Sequence, residues 1–189
     1  MRVGPTLIAG AGRAGNGKDD IILRTTIIFG VFAASLALAQ GSGAQTVGRE
    51  TGEPIPRYES LRYDTVRMRR GPGRTWPIAW VFKREGMPVK VFKEFEDWRH
   101  VRDPYGDFGW IKRTQLSSAR HGLVMAERAP LRREADGEAK VVAVAAKGVV
   151  LRLDECGPDW CLGRAKGYSG WVRKEALFGV DPEETFEGG

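Results

Sequence analysis

Downstream of Pro56 the chain alternates between apolar and polar positions and shows no helical stripe of ten or more residues. In "MPVKVFKEF" (Met87–Phe95) and "VVLRLDE" (Val149–Glu155) apolar residues recur at every second position, the period of a strand with one buried face. "DWRHV" (Asp97–Val101) and "DWCLG" (Asp159–Gly163) each follow a tight turn, as the second arm of a hairpin does. "GWI" (Gly109–Ile111) and "GWV" (Gly170–Val172) come next, each leading to a short polar piece and a leucine. Glycine before a tryptophan on a strand suits a bulge or a close backbone approach. About five short strands in about 55 residues, separated by Gly and Pro, predict a small closed β-barrel.

The pattern occurs twice. Gly86, Val89, Val91 and Trp98 match Gly148, Leu151, Leu153 and Trp160 at an offset of 62 residues. Beyond a one-residue deletion, Gly109-Trp110-Ile111 and Leu116 match Gly170-Trp171-Val172 and Leu177 at an offset of 61. Met68-Arg69 matches Leu131-Arg132 upstream. A duplicated unit of this size is near the lower limit for a stable core, so two copies packed together would support each other.

The only two cysteines, Cys156 and Cys161, stand on opposite arms of the second hairpin around Gly157-Pro158-Asp159. Facing strand positions lie within disulfide range, and the spacing predicts a Cys156–Cys161 bridge. The matched positions in the first copy are Glu94 and Arg99. Opposite charges there and a covalent bond here are what a cross-strand staple predicts. A metal site needs more ligands than two cysteines, and a redox pair usually has the tighter Cys-x-x-Cys spacing.

The first 56 residues differ. The apolar run Ile27–Ala39 follows Lys18 and Arg24; it has the length of a signal-peptide core and is too short to span a bilayer comfortably. Small-x-small sites place cleavage after Ala39 or after Ala44. "AGAGRAGNGK" in the upstream extension lacks the strand and the Gly-Lys-Ser/Thr of a phosphate loop. The expected organisation is a signal region with that extension over 1–44, carrying an N-terminal signal helix, and a flexible linker over 45–56. A first barrel over 57–120 and a second over 121–189 with an acidic tail follow. Membrane attachment would occur only through an uncleaved signal segment.

Net charge is +6, and it is unevenly placed. Residues 57–120 carry 15 Lys and Arg against 8 Asp and Glu, a balance of +7; residues 121–189 carry 10 against 12, a balance of −2. Arg67, Arg69, Arg70 and Arg74 supply a cluster suited to docking carboxylates or anionic headgroups. Six tryptophans are dense for this length. Trp110 and Trp171, beside a glycine and a β-branched residue, are assigned to the core. Trp98 and Trp160 are left open between core and surface. In the alternating frame Trp98 and His100 point one way, Arg99 and Val101 the other. Trp76, in the loop "GPGRTWP", is placed with Tyr63 and Tyr105 as a groove floor.

"YDTVRMRRGPGRTWPIAWVFKREGMPV", "FEDWRHVRD", "GWIKRTQLS" and "LDECGPDWCLGRAKGYSGWVRKEALFGVDPEE" resemble bacterial SH3-like (Src-homology-3-like) periplasmic proteins. The stretch Arg69-Arg70-Gly71-Pro72-Gly73 and the two Gly-Trp pairs carry the likeness, which runs from about Arg57 to Glu184. It implies an all-β tandem of SH3-like barrels, periplasmic or secreted, with no known catalytic activity. "LRREADGEAKVV" in the second copy lacks the Gly-Pro-Gly turn, so a ligand site using that turn would belong to the first copy alone. The family analogy points to cell-wall peptidoglycan, or a peptide or periplasmic protein segment, as ligand, and the aromatic and basic pattern offers Tyr63, Arg69, Arg74, Trp76, Trp98 and Tyr105 to hold it. The other reading is a structural partner subunit of an envelope complex. No metal or cofactor and no nucleic-acid partner are expected. An enzyme is not expected either: no Gly-x-Ser-x-Gly elbow occurs and both cysteines are spoken for.

Overall fold

The computed structural model describes residues 46–187, so the signal region lies outside the described residues. Seven strands build the first sheet: β1 (Arg57–Leu61), β2 (Val66–Arg69), β3 (Ile78–Phe82), β4 (Pro88–Phe95), β5 (Trp98–Arg102), β6 (Phe108–Lys112) and β7 (Leu116–Ser117). Seven more build the second: β8 (His121–Val124), β9 (Arg128–Arg132), β10 (Val141–Ala146), β11 (Val150–Cys156), β12 (Trp160–Ala165), β13 (Tyr168–Arg173) and β14 (Leu177–Phe178). The first sheet has the order β3-β2-β6-β5-β4-β1-β7 and the second the order β10-β9-β13-β12-β11-β8-β14. Strand for strand these are the same topology, and the two copies do not intermix.

Each sheet wraps its own core. Leu61, Val66, Met68, Val89, Val91, Val101 and Ile111 share one cluster with Phe82 of β3 and Leu116 of β7, the two end strands, so the sheet is strongly curled. The second core repeats it with Leu131, Leu151, Leu153, Val172 and Leu177. The expected closed barrel is nevertheless not formed, because β3 and β7 do not pair. Closure requires the end strands to meet in register. β7 has two residues, and both are already paired with β1.

A bulge corrects the strict alternation read along β4. Val91 pairs with Val101 and Lys93 with His100, leaving Phe92 as the extra residue. From there the inward positions shift by one. Glu94 therefore points inside, opposite Arg99, while Phe95 is exposed. The second sheet bulges at the matched residue, Asp154, and so places Cys156 inside opposite Cys161. Those cysteines are disulfide-bonded. In the first sheet the Arg99 Nε lies 3.4 Å from Glu94 Oε1, with side-chain exposures of 1% and 0%. A buried ion pair and a disulfide thus occupy one position of the fold, as the repeat predicts.

The expected flexible linker is a bonded turn over its described part, 46–56. Val47 bridges Pro54, and Gly48 N–H donates to the Glu53 carbonyl at 2.7 Å. The turn serves the Glu94 carboxylate, which accepts from Glu50 N–H (2.8 Å), Thr51 N–H (3.0 Å), Thr51 Oγ1 (2.8 Å) and Arg57 Nη2 (2.8 Å). A buried carboxylate without such donors would be severely penalised. Burial pushes the Glu94 pKa up, but these hydrogen bonds outweigh it and hold the group at about 2.

The two sheets pack against each other through β1 of the first and the strands β8 and β14 of the second. Tyr58 meets Phe178 edge-to-face at 5.3 Å. Ser60 Oγ donates to the Ala119 carbonyl at 2.7 Å, and His121 Nδ1 lies 3.0 Å from Ser60 Oγ. The acidic tail straps the seam. Asp181 pairs with Lys90, Glu184 with Arg120 (2.8 Å), and Phe186 forms a bridge with Cys156. Burial, with Asp181 and Glu184 nearby, pushes the Tyr58 hydroxyl up to about 12.

Candidate binding face of the first sheet

The outward positions of β2, β5 and β6 share one face. Arg69 stands opposite Trp110, Trp110 opposite His100, and Trp98 opposite Lys112. Paired residues project to the same side of a sheet, so these five side chains lie together, with Arg99 and Val101 on the core side. The face has a basic part and an aromatic part.

The basic part is a hollow of about 340 Å³ lined by Arg67, Arg69, Arg74, Trp98, Lys112 and the Thr114-Gln115 pair. No carboxylate lines it; the nearest salt-bridge partner of Lys112 is Asp97 at 3.8 Å. Arg69 is held in place because its Nη1 donates to the Trp76 carbonyl at 2.6 Å. Arg132 makes the same 2.6 Å bond to Ala139 in the second copy, so this contact shapes the loop in both, whereas the surrounding charge is peculiar to the first. The matched positions of Arg67 and Arg74 are Pro130 and Gly137.

The aromatic part runs across three strands. His100 stacks on Phe108 with ring centroids 5.6 Å apart, tilts on Trp110 at 5.0 Å, and Phe92 lies 5.8 Å from Phe108. The bulge turns Phe92 to the side of Lys93 and His100. Burial lowers the His100 pKa, and the Lys93 charge adds to it, which keeps the imidazole a neutral partner for its ring neighbours. Its Nδ1 is buried and has no hydrogen-bond partner. In the second copy Asp154, Leu162 and Ser169 replace Phe92, His100 and Phe108. That contrast was available from the duplicated sequence and is the signal by which the row could have been found.

The sequence-predicted residues distribute unevenly. Arg69, Arg74 and Trp98 come together in the hollow. Trp98 and its match Trp160 are each 8% exposed, so they floor the surface and do not project from it. Trp76, 49% exposed, folds back on its own loop, where a Cβ on Gly71 would fall 2.3 Å from the indole. Tyr63 and Tyr105 are exposed and line none of the hollow. The expected floor of Trp76, Tyr63 and Tyr105 is thus not assembled there. Trp110 and Trp171, assigned to the core, are half-buried on the outer face. The physical reason is the glycine beside each. A Cβ on Gly109 would sit 2.9 Å from the Arg69 carbonyl oxygen, and one on Gly170 2.9 Å from that of Arg132. Backbone contact fills the inner side there, and the neighbouring indole faces out. Among the described residues no cluster of three or more His, Cys, Asp or Glu is arranged to hold a metal, and no helix is long and apolar enough to cross a membrane.

No curated protein matches the chain. Among solved structures it is similar to NlpC2 from Trichomonas vaginalis (14% identity, TM-score 0.30), covering 65% of this chain and 48% of that one. It is also similar to NlpC1 from Trichomonas vaginalis (15% identity, TM-score 0.30), with 72% and 47% covered. The chain spans about half the length of both. Residues 62–118 and 125–179 each match a family model described as bacterial SH3 domain.

Proposed function

Because this chain belongs to the bacterial SH3 domain family, matched twice in tandem, we propose that it is a non-enzymatic binding module of the cell envelope. On this reading it is periplasmic or secreted and engages cell-wall peptidoglycan through the outer face of the first sheet. One observation supports the choice of face: the carboxylate-free hollow of Arg67, Arg69, Arg74 and Lys112 adjoins the row Trp110, His100, Phe108 and Phe92. Guanidinium forks suit the carboxylates of stem peptides, and flat rings suit the apolar faces of sugars and extended peptide. The second copy keeps the fold and lacks both features, consistent with a supporting role.

A structural-subunit reading has one observation in its favour. β3 ends the first sheet, pairs only with β2, and exposes Ile78, Trp80 and Val81. Such an edge can accept a strand from a protein partner. A pull-down on purified peptidoglycan separates the two. Wall binding predicts retention that falls at least tenfold in Arg74→Gln/Phe108→Ala, while Arg133→Ala, in the loop after β9 of the second copy, is retained normally. No retention of the wild type, with envelope proteins co-purifying, would replace this reading by the subunit. Wall degradation by the purified chain would overturn the non-enzymatic assignment.

A further inference from the structure

A second concave region lies away from this face. It is a cleft of about 580 Å³ at the seam of the two sheets, bounded by the matched turns at Gly86 and Gly148, with His121 in its wall. It continues into a hollow of about 360 Å³ that shares Arg152, Arg164 and Lys166 and reaches the exposed ring of Tyr168. The first sheet contributes Arg84, whose Nη1 donates to the Gly148 carbonyl across the cleft. That bond uses one of five guanidinium N–H donors and orients the others.

Arg152 and Arg164 stand directly opposite each other in the β11–β12 ladder. Like charges at facing strand positions are destabilising. One partly buried carboxylate, Asp154, serves both, at 3.7 Å from Arg152 Nε and 2.9 Å from Arg164 Nη2. Glu85 is the only carboxylate among the lining residues, against Arg84, Arg152, Arg164 and Lys166. At the matched ladder position of the first sheet, Lys90 faces Arg102, and there Lys90 is neutralised by Asp181 from the tail. In the second sheet, among the described residues, no carboxylate of the tail reaches the pair, and the single Asp154 carboxylate is shared between two guanidinium groups. The positive excess is invisible in the −2 balance of residues 121–189, because tail carboxylates counted in that balance are spent on other cations, Asp181 on Lys90 and Glu184 on Arg120.

We propose that this cleft is a second, separate binding site for a phosphoryl group. Three guanidinium forks and an ammonium exceed what two carboxylates, Glu85 and Asp154, can occupy and match the several oxygens of a phosphate. The flanking Tyr168, Val149 and Ala165 give the bearer of that phosphate an apolar wall. Two sources share this chemistry: an anionic lipid headgroup and the phosphate of a soluble or polymeric ester.

The test uses the full chain and three probes: inorganic pyrophosphate, succinate, and vesicles containing phosphatidylglycerol. Pyrophosphate at millimolar concentration is expected to raise the Tm and to give a saturable calorimetric titration that weakens with salt. Arg152→Gln/Arg164→Gln should weaken binding at least tenfold, while its own Tm without ligand stays level or rises as the like-charge contact is removed. Peptidoglycan retention by the first sheet should be unaffected in that variant, so the two sites fail independently. Co-sedimentation with the vesicles would assign the phosphate to a lipid; pyrophosphate binding without it would assign a soluble or polymeric ester. No wild-type response to pyrophosphate or vesicles, equal binding by the double variant, or equal binding of succinate would each overturn the proposal.

Discussion

Replacing Glu94 by Gln removes one charge at a place where the structure allows the consequence to be worked out. The carboxylate is fully buried and accepts hydrogen bonds from Arg57, Thr51 and the Glu50 and Thr51 amides, with Arg99 3.4 Å away. Its pKa falls from 4.5 to about 2 in the fold. At roughly 1.4 kcal/mol per pKa unit, a lowering of about 2.5 units is worth about 3 kcal/mol at neutral pH. Because the folded pKa is depressed, this stability is present above about pH 4.5 and is lost as pH falls toward about 2. Gln keeps the shape but not the charge, and leaves Arg57 and Arg99 buried beside a neutral group, as protonated Glu94 does. Urea unfolding of both proteins, followed by tryptophan fluorescence, should show a gap of about 3 kcal/mol near pH 7 that shrinks to less than half near pH 3. A gap that stays constant over that range, or one below about 0.5 kcal/mol at neutral pH, would refute the claim that ionised Glu94 pins the N-terminal turn to the sheet.

Two further outcomes follow from the same fold. Thiol labelling and mass spectrometry of the chain purified without reductant should find no free cysteine, and Cys156→Ser/Cys161→Ser should lose about 2 kcal/mol, the small value expected for so short a loop; two free thiols would contradict the staple. Gly170→Ala places a Cβ 2.9 Å from the Arg132 carbonyl oxygen, Leu131 Cβ and Val142 Cγ2, so it should destabilise by about 1–3 kcal/mol in thermal or urea unfolding; an unchanged midpoint would show that the backbones at this crossing can separate freely.

The sequence by itself determined what is local or repeated. Period-two alternation identified the strands, the offset of about 62 residues fixed two units of one topology, and a short hairpin turn placed Cys156 opposite Cys161. The matched turn of the first copy placed Glu94 opposite Arg99, because hairpin register depends only on the residues that close it. Tertiary structure decided the rest. The bulges at Phe92 and Asp154 redirect every later side chain on their strands, yet nothing in "VFKE" or "LDEC" marks the extra residue apart from its neighbours. Backbone crossing at Gly109 and Gly170 sent Trp110 and Trp171 outward. The aromatic row needs β4, β5 and β6 side by side. The basic cleft needs Arg84 of the first copy against Arg152 and Arg164 of the second, 68 and 80 positions further along the chain, and their meeting depends on how two curled surfaces pack.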